Sequence, residues 1–326
     1  MKLTASPLCL SLTLTALLLP LSSRLHAGVD SNTPPSAIVA AAGQEAPKPA
    51  PLPLHQIEGS GGLVTTLSAY IVNPQRQGQV VGLPAAGFAF VDMGHGKNIE
   101  ATTLTESPIS RLEIGYGWDH MCLGNLAPAI RSAGVSTYTQ NEVNLQNANL
   151  RFQLVKENDF NQKWLPALTL GVHYKYNGGI SEVNQQLGGA LNAAGITHNS
   201  GVDVTLYASK TITQLPIPIM INVGGRATEA VWDGFGGFTD HYNFVFEGNV
   251  IIFPTSHLAL GAEFKQQPKD YQAIGNLVQM ESNWWTLDAA YVITKNLTVA
   301  VSYGHFGNVL NSSANGTWGL TTKWEF

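Results

Sequence analysis

Charge is what this sequence has least of. Lys, Arg, Asp and Glu make up 12% of its 326 residues, about half the share of an ordinary soluble domain. Hydrophobic residues stay at 44%, so the surface is not built in the usual water-facing way. Cysteine is almost missing: Cys9 and Cys122 are the two thiols. Cys9 lies inside the N-terminal apolar run, too early for a lipoprotein acylation site, and Cys122 alone cannot staple a fold, which excludes a disulfide scaffold. Long hydrophobic runs are absent as well, since no uncharged apolar stretch reaches the roughly 20 residues that a membrane-spanning helix needs. The histidines are scattered without the short spacings of a zinc site. The glycine-rich stretches do not lead from a strand into a helix as a phosphate loop requires. Neither a metal nor another cofactor is expected.

The apolar run that does occur is short and N-terminal. Lys2 is followed by apolar residues from about Pro7 to Leu21, then by Ser22, Ser23 and a small-residue exit at Leu25, His26 and Ala27. This is the pattern of a secretory signal peptide, so residues 1–27 are expected to be removed on export. Their loss takes away Lys2 and Arg24 and no acid, leaving 15 bases against 22 acids and a formal charge of −7. That balance excludes nucleic acid as a partner. From Gly28 to about His55 the chain is Ala- and Pro-rich, with Pro34, Pro35, Pro47, Pro49, Pro51 and Pro53 and hardly an aromatic. Residues 28–57 cannot bury enough surface to order themselves and read as a disordered leader. Residues 58–326 show no break in composition and read as one domain.

Within that domain the recurring unit is a run of alternating polarity closed by turn residues. The last run is the clearest: Trp318, Leu320, Thr322, Trp324 and Phe326 share one face, and Thr317, Gly319, Thr321, Lys323 and Glu325 the other. Leu297 to Gly304 and Leu258 to Lys265 alternate in the same way. Similar runs cover Arg111 to Trp118, Ala148 to Lys156, Ala167 to Tyr176, Val202 to Lys210, Ile217 to Thr228, Tyr242 to Phe253 and Trp285 to Val292. Two weaker runs, Gly87 to Met93 and Ile99 to Glu106, have ambiguous facing and complete a set of twelve. Leu63 to Val72 would be a thirteenth, but closed bacterial barrels have an even strand number, so it is assigned to the lumen or to a cap. The fold class is therefore an all-β, transmembrane antiparallel β-barrel of about twelve strands.

Short connections such as Phe253 to Ser256, Thr294 to Asn296 and Gln214 to Pro216 belong on the periplasmic side. The long ones, about His120 to Asn141, Asn177 to Ser200, Ala230 to His241, Gln267 to Asn283 and Phe306 to Gly316, belong outside. A short helix fits Ser181 to Ala194. Trp164, Tyr174, Tyr176, Tyr242, Trp285 and Tyr291 fall near strand ends, where aromatic girdles meet the lipid headgroups.

The C-terminal pattern of Trp318, Leu320, Trp324 and Phe326 resembles the last-strand signal by which outer-membrane barrels are recognised for insertion. That likeness implies the barrel-assembly machinery as a partner and outer-membrane lipid as the surroundings. Ile109-Ser-Arg-Leu-Glu-Ile-Gly-Tyr-Gly-Trp118, Leu165-Pro-Ala-Leu-Thr-Leu-Gly-Val-His-Tyr-Lys-Tyr176, Gly201-Val-Asp-Val-Thr-Leu-Tyr-Ala-Ser-Lys210, Trp284-Trp-Thr-Leu-Asp-Ala-Ala-Tyr-Val292 and Tyr303-Gly-His-Phe-Gly-Asn-Val-Leu310 are similar to an uncharacterised bacterial family of exported, outer-membrane β-barrel-like proteins. The similarity covers nearly all of residues 58–326. It implies the fold and adds no site.

Strand parity places one set of ionisable groups inside: Arg111, Glu113, Arg151, His173, Lys175, Asp203, Arg226, Glu247, Glu263, Lys265, Asp288, Lys323 and Glu325. These are the expected pore-lining residues, bases and acids in balance, although pairs that merely satisfy a buried interior fit them equally. Trp232, Phe235 and Phe238 lie in a glycine-rich outer loop suited to packing or to a gate. Asp119-His120 and Asp240-His241 are acid–imidazole neighbours, with Cys122 close to the first. Adjacent strand residues point to opposite faces, however, so no nucleophile, base and orienting group assemble from spacing.

Three readings remain open. A porin-like channel for a small solute comes first and is not an enzyme. A structural or interaction barrel in envelope assembly or polymer export comes second. A loop-based hydrolase comes third. Each would sit, after signal-peptide cleavage, in the outer membrane of a Gram-negative-type bacterium.

Overall fold

A computed structural model describes residues 54–75, 79–270 and 278–326. The expected signal sequence and nearly all of the expected leader lie outside these residues. The wall has twelve strands: β1 (Ala85–Gly94), β2 (Lys97–Ile109), β3 (Leu112–Leu123), β4 (Glu142–Val155), β5 (Ala167–Asn177), β6 (Ser200–Ile212), β7 (Ile219–Ala230), β8 (Phe238–Ile252), β9 (Leu258–Lys265), β10 (Trp284–Val292), β11 (Leu297–His305) and β12 (Thr317–Glu325). Each pairs antiparallel with its chain neighbour, and β12 pairs with β1 from Trp318↔Asp92 to Glu325↔Ala85, closing the cylinder. Closure is what hydrocarbon demands, because an open edge would leave a row of amides unpaired where no water can reach them. No helix among the described residues is long and apolar enough to cross a membrane, so the strands are the spanning elements.

Side chains obey the period of two. On β12 Trp318, Leu320 and Trp324 are exposed, while Thr317, Thr321, Lys323 and Glu325 are buried. Leu104, Ile114, Leu150, Leu206, Leu287 and Val301 carry the same apolar exterior round the wall. The facing of the two weak strands is now defined. Ala85, Gly87, Ala89 and Val91 of β1 point inward, as do Ile99, Ala101, Thr103 and Thr105 of β2. Apart from Lys97 at the outer end of β2, their inward residues are small, apolar or threonine rather than charged, which erased the polarity contrast in the sequence.

Two stretches depart from the expected loops. β3 and β4 continue past the lipid-facing band, pairing Trp118↔Gln146 through Cys122↔Glu142. Asp119 to Leu123 are buried without alternation, and the outward His120 is held by Asn144 and Glu142 of β4. The single helix expected over Ser181–Ala194 is two, α2 (Ile180–Gln186) and α3 (Ala190–Ala193), separated by Gly188 and Gly189 at φ +63° and +88°.

The connections form a cap. With α1 (Leu126–Ser132) they bring Leu126, Ile130, Val183, Val231, Trp232, Phe235 and Phe238 into one buried apolar cluster. Trp284 and Phe306 stack within it with ring centroids 4.6 Å apart. The end carrying these long loops is the outer one by the rule that periplasmic turns are short.

Residues 55–73 are not part of the wall; they thread the lumen. Leu54–Gln56 pairs with Ser60–Gly62 in a small hairpin whose tip is Glu58 and Gly59. His55 lies on Thr103 midway along β2 and against Gly87 near the short-turn end of β1, and Val72 lies on Ser107 near the short-turn end of β2. Glu58 reaches up to Lys175 and Arg226, near the long-loop ends of β5 and β7. The lumenal alternative for Leu63–Val72 therefore holds, and the lumenal segment includes residues that composition assigned to the leader. His55–Ile57, assigned to the leader, belong to the hairpin: they pair with Ser60, Gly61 and Val64 of the segment, and the wall adds Thr103 on the His55 ring. Glycine permits the approach: Gly59 has φ +83°, and a methyl group on inward-facing Gly115 would overlap the Gly59 carbonyl oxygen. Leu320 lies near the middle of β12 on the exterior, 40% exposed. Leu320→Arg should cost about 2–4 kcal/mol of folding stability in a bilayer; guanidinium unfolding in lipid vesicles would measure it.

Candidate functional site

The site is the lumen together with the segment inside it. Of the thirteen residues expected to line a pore, twelve face inward and are buried. Arg111 is the correction. It occupies the turn between β2 and β3, one residue before the wall strand begins, and its guanidinium pairs with Asp159 of the next short-side connection at 2.8 Å. Alternation alone could not separate the last turn residue from the first strand residue.

Wall side chains hold the segment mainly by its backbone. The Glu113 carboxylate accepts the N–H groups of Gly61 at 3.2 Å and Val72 at 2.7 Å. Arg151, paired with Glu113 at 2.7 Å, donates to the carbonyls of Gly61 and Ser68. Across the lumen Glu263 accepts N–H groups from Val64, Thr65 and Thr66 at 2.7–3.2 Å. Gln153 and Thr169 donate to the Ala69 carbonyl, and Asn249 to that of Leu67. Each of these bonds satisfies a buried amide that has no strand partner. His173 serves indirectly, its ring nitrogens bonded to Asn149 at 2.7 Å and Thr205 at 3.0 Å, while Asn149 donates to the Glu58 carbonyl.

The tip is held by charge. The Glu58 carboxylate meets Lys175 Nζ at 2.6 Å and takes Arg226 in a two-point contact at 2.9 and 3.0 Å, with Lys265 Nζ at 4.0 Å. Two wall carboxylates share the same cations. Asp203 lies 2.9 Å from Lys175 and 2.7 Å from Arg226, and Glu247 lies 2.7 Å from Arg226 Nε. From above, the cap adds Asp233, whose carboxylate meets Lys265 at 2.6 Å and whose carbonyl accepts from Lys175 at 3.0 Å. Asn177 donates to the carbonyls of Gly234 and Phe235. Segment and cap are thus fastened to one cluster. The remaining inward residues lie apart from it: Lys323 pairs with Glu325 at 2.5 Å, and Asp288 accepts from Thr286 at 3.1 Å.

Sequence reasoning found the wall half of this cluster and missed Glu58 and Asp233. A signal for Glu58 was present, since it is the one charged side chain between His55 and Gln75. Trp232, Phe235 and Phe238 are buried in the cap, which is the packing expected of them. Asp240 and His241 bond each other, whereas Asp119 and His120 turn to different partners. Asp119 is bonded to Asn147, while His120 has Asn144 on Nδ1 at 3.0 Å and the buried Cys122 thiol at 3.8 Å and Glu142 at 3.6 Å on Nε2. His241 has Asp240 and Asp270 as its hydrogen-bond partners, both at 3.2 Å. Among the described residues no three His, Cys, Asp or Glu side chains are placed to share a metal ion.

Glu58→Gln removes one partner of a buried ion pair, a change that costs about 3–5 kcal/mol. With Asp203 and Glu247 still in place the lower end, about 3 kcal/mol, is expected, read as faster proteolysis within residues 55–73. A pH effect arises in the cap. Burial pushes the Glu281 carboxyl up to about 8, and it accepts the N–H groups of Trp232 at 3.3 Å and Asp270 at 3.2 Å. Its pKa is raised on folding, so the neutral acid stabilises the cap fully below the unfolded value of about 4.3, and that contribution is lost as pH rises through about 8. Hydrogen exchange over residues 231–237 should be faster than in Glu281→Gln at pH 9 and equal to it at pH 4.

Twelve-stranded closure, apolar exterior and polar interior define an outer-membrane β-barrel. Solved structures of such barrels are similar to it. The KdgM porin is 8% identical at TM-score 0.45, over 74% of this chain and 99% of that one. The outer-membrane protein Omp33 of Acinetobacter baumannii is 11% identical at TM-score 0.42, over 76% and 100%. Outer membrane phospholipase A from Escherichia coli is 9% identical at TM-score 0.33, over 74% and 95%. Porin and phospholipase alike appear at these levels, which carry no argument about activity. No curated protein matches the sequence. A family profile does match, across residues 53–323, and the chain belongs to that family, described as protein of unknown function (DUF3034).

Proposed function

We propose that this protein is a porin-like, passive channel for a small polar solute, and that residues 55–73 are its gate. The observation that carries the reading is how the lumen is filled. The segment is held by side chains that reach its amides, by one carboxylate at its tip and by small apolar contacts of Ile57, Leu63, Val64 and Leu67 with the wall, not by a β-ladder continuous with the wall. Its two ends lie toward the same end of the barrel, so it can withdraw as one loop without opening the cylinder. Once it has left, Glu113, Arg151, Lys175, Arg226, Glu263 and Lys265 would line a polar path. The cap must move with it, since Asp233 and Glu58 share cations. On this reading residues 1–27 are cleaved on export, and Trp318, Leu320, Trp324 and Phe326 present the last strand to the assembly machinery.

The completeness of the filling favours a second reading, a structural barrel whose leader or outer loops bind a partner. Planar bilayers separate the two. The unaltered protein should stay closed for most of the recording, and Glu58→Gln should raise the open fraction at least tenfold. A Glu58→Gln barrel that folds, shown by its heat-modifiable migration, and passes no ion current would remove the channel.

A further inference from the structure

Two carboxylates from separate parts of the chain reach one group of three wall cations. Glu58, from the lumenal segment, meets Lys175, Arg226 and Lys265, and Asp233, from the cap, meets Lys265 with its carboxylate and Lys175 with its carbonyl. All three cations are buried, so each needs an anionic partner. The wall supplies Asp203 and Glu247 to them, two acids against three bases. A further inward carboxylate, Asp119, is bonded to Asn147 at 2.9 Å and makes no ion pair among the described residues. When segment and cap leave together, the cluster keeps one positive charge unmatched. It also keeps the Arg226 fork that now takes Glu58 at two points, a geometry suited to a planar carboxylate.

We infer that Lys175, Arg226 and Lys265 form a carboxylate-binding site in the open lumen, and that the solute is a small organic acid whose carboxylate replaces those of Glu58 and Asp233. The inference rests on the gated-channel reading for its role in transport, but the site itself can be tested in the closed protein. Glu58 is then a built-in occupant: it keeps the cations neutralised while the lumen is shut, and a solute carboxylate competes with it. Solute arrival and gate release become one exchange of anions. Because the cations lie near the long-loop end, the exchange happens where a solute from outside would first meet charge. An uncharged solute has no means of displacing Glu58, and the site would exclude it.

Two measurements test this with glutarate as the probe. In the unaltered full chain in lipid vesicles, glutarate should speed proteolysis within residues 55–73 about tenfold over sulfate at equal ionic strength, and glutaramide should not. In bilayers, current through the Glu58→Gln barrel should fall with added glutarate, and the half-blocking concentration should rise at least tenfold when Lys175→Gln is added. Equal proteolysis in glutarate and sulfate, or a block that Lys175→Gln leaves unchanged, would overturn the site. Glutarate-dependent proteolysis with no current from any folded variant would keep the site and overturn the channel.

Discussion

A peptide group in hydrocarbon must find its hydrogen-bond partner within the protein, and the rest of this structure depends on that constraint. The pairing of β12 with β1 satisfies it by removing both free edges. Closure has a consequence inside. Eight strands enclose a space that side chains just fill; twelve enclose more. That volume must hold either water or more polypeptide, and here it holds residues 55–73 with a cap of loops above them.

Polypeptide in a lumen brings a second problem, because its own amides are buried and have no strand beside them. The wall answers with side chains. Carboxylates at 113 and 263 take N–H groups, Arg151, Gln153 and Asn249 give to carbonyls, and inward glycine on β3 lets the tip come close. Such bonds anchor a segment without merging it into the sheet. The seat is mixed: Leu63 and Val64 pack with Ile251, Ala259, Ala290 and Ala300, Leu67 and Ala69 with Ala167 and Tyr207, and Ile57 with Ala89 and Ala101, so vacating it exposes apolar surface beside polar groups that water can hydrate. The cations at the tip add an electrostatic tie, since Glu58 shares Lys175, Arg226 and Lys265 with Asp203, Glu247 and Asp233.

Much of this was legible beforehand, and the failures have physical causes. Strands with large apolar residues outside and charged ones inside announce themselves by alternation, as β9 and β12 do. β1 and β2 did not, since their inward positions carry Gly87, Ala89 and Ala101, chosen by the closeness of the segment and not by water. Asp119 to Leu123 carry no alternation because both of their faces are buried. Arg111 was placed in the lumen by counting two residues too far along a parity that ends at the turn. The wall members of the charge cluster were found because parity sorts faces, but parity has nothing to say about which anion each cation meets.

Period-two patterning, scarce charge and the missing disulfides and long apolar helices determined by themselves that this chain closes into a barrel with a polar inside. Those features report each residue's surroundings through its neighbours one or two positions away. Whether the lumen is open was decided only in three dimensions. Glu58 and Arg226 stand 168 positions apart, Thr66 and Glu263 197 apart, and no local periodicity links them. Their meeting follows from how twelve tilted strands position their inward faces around a volume, which is a property of the closed cylinder and of no single segment.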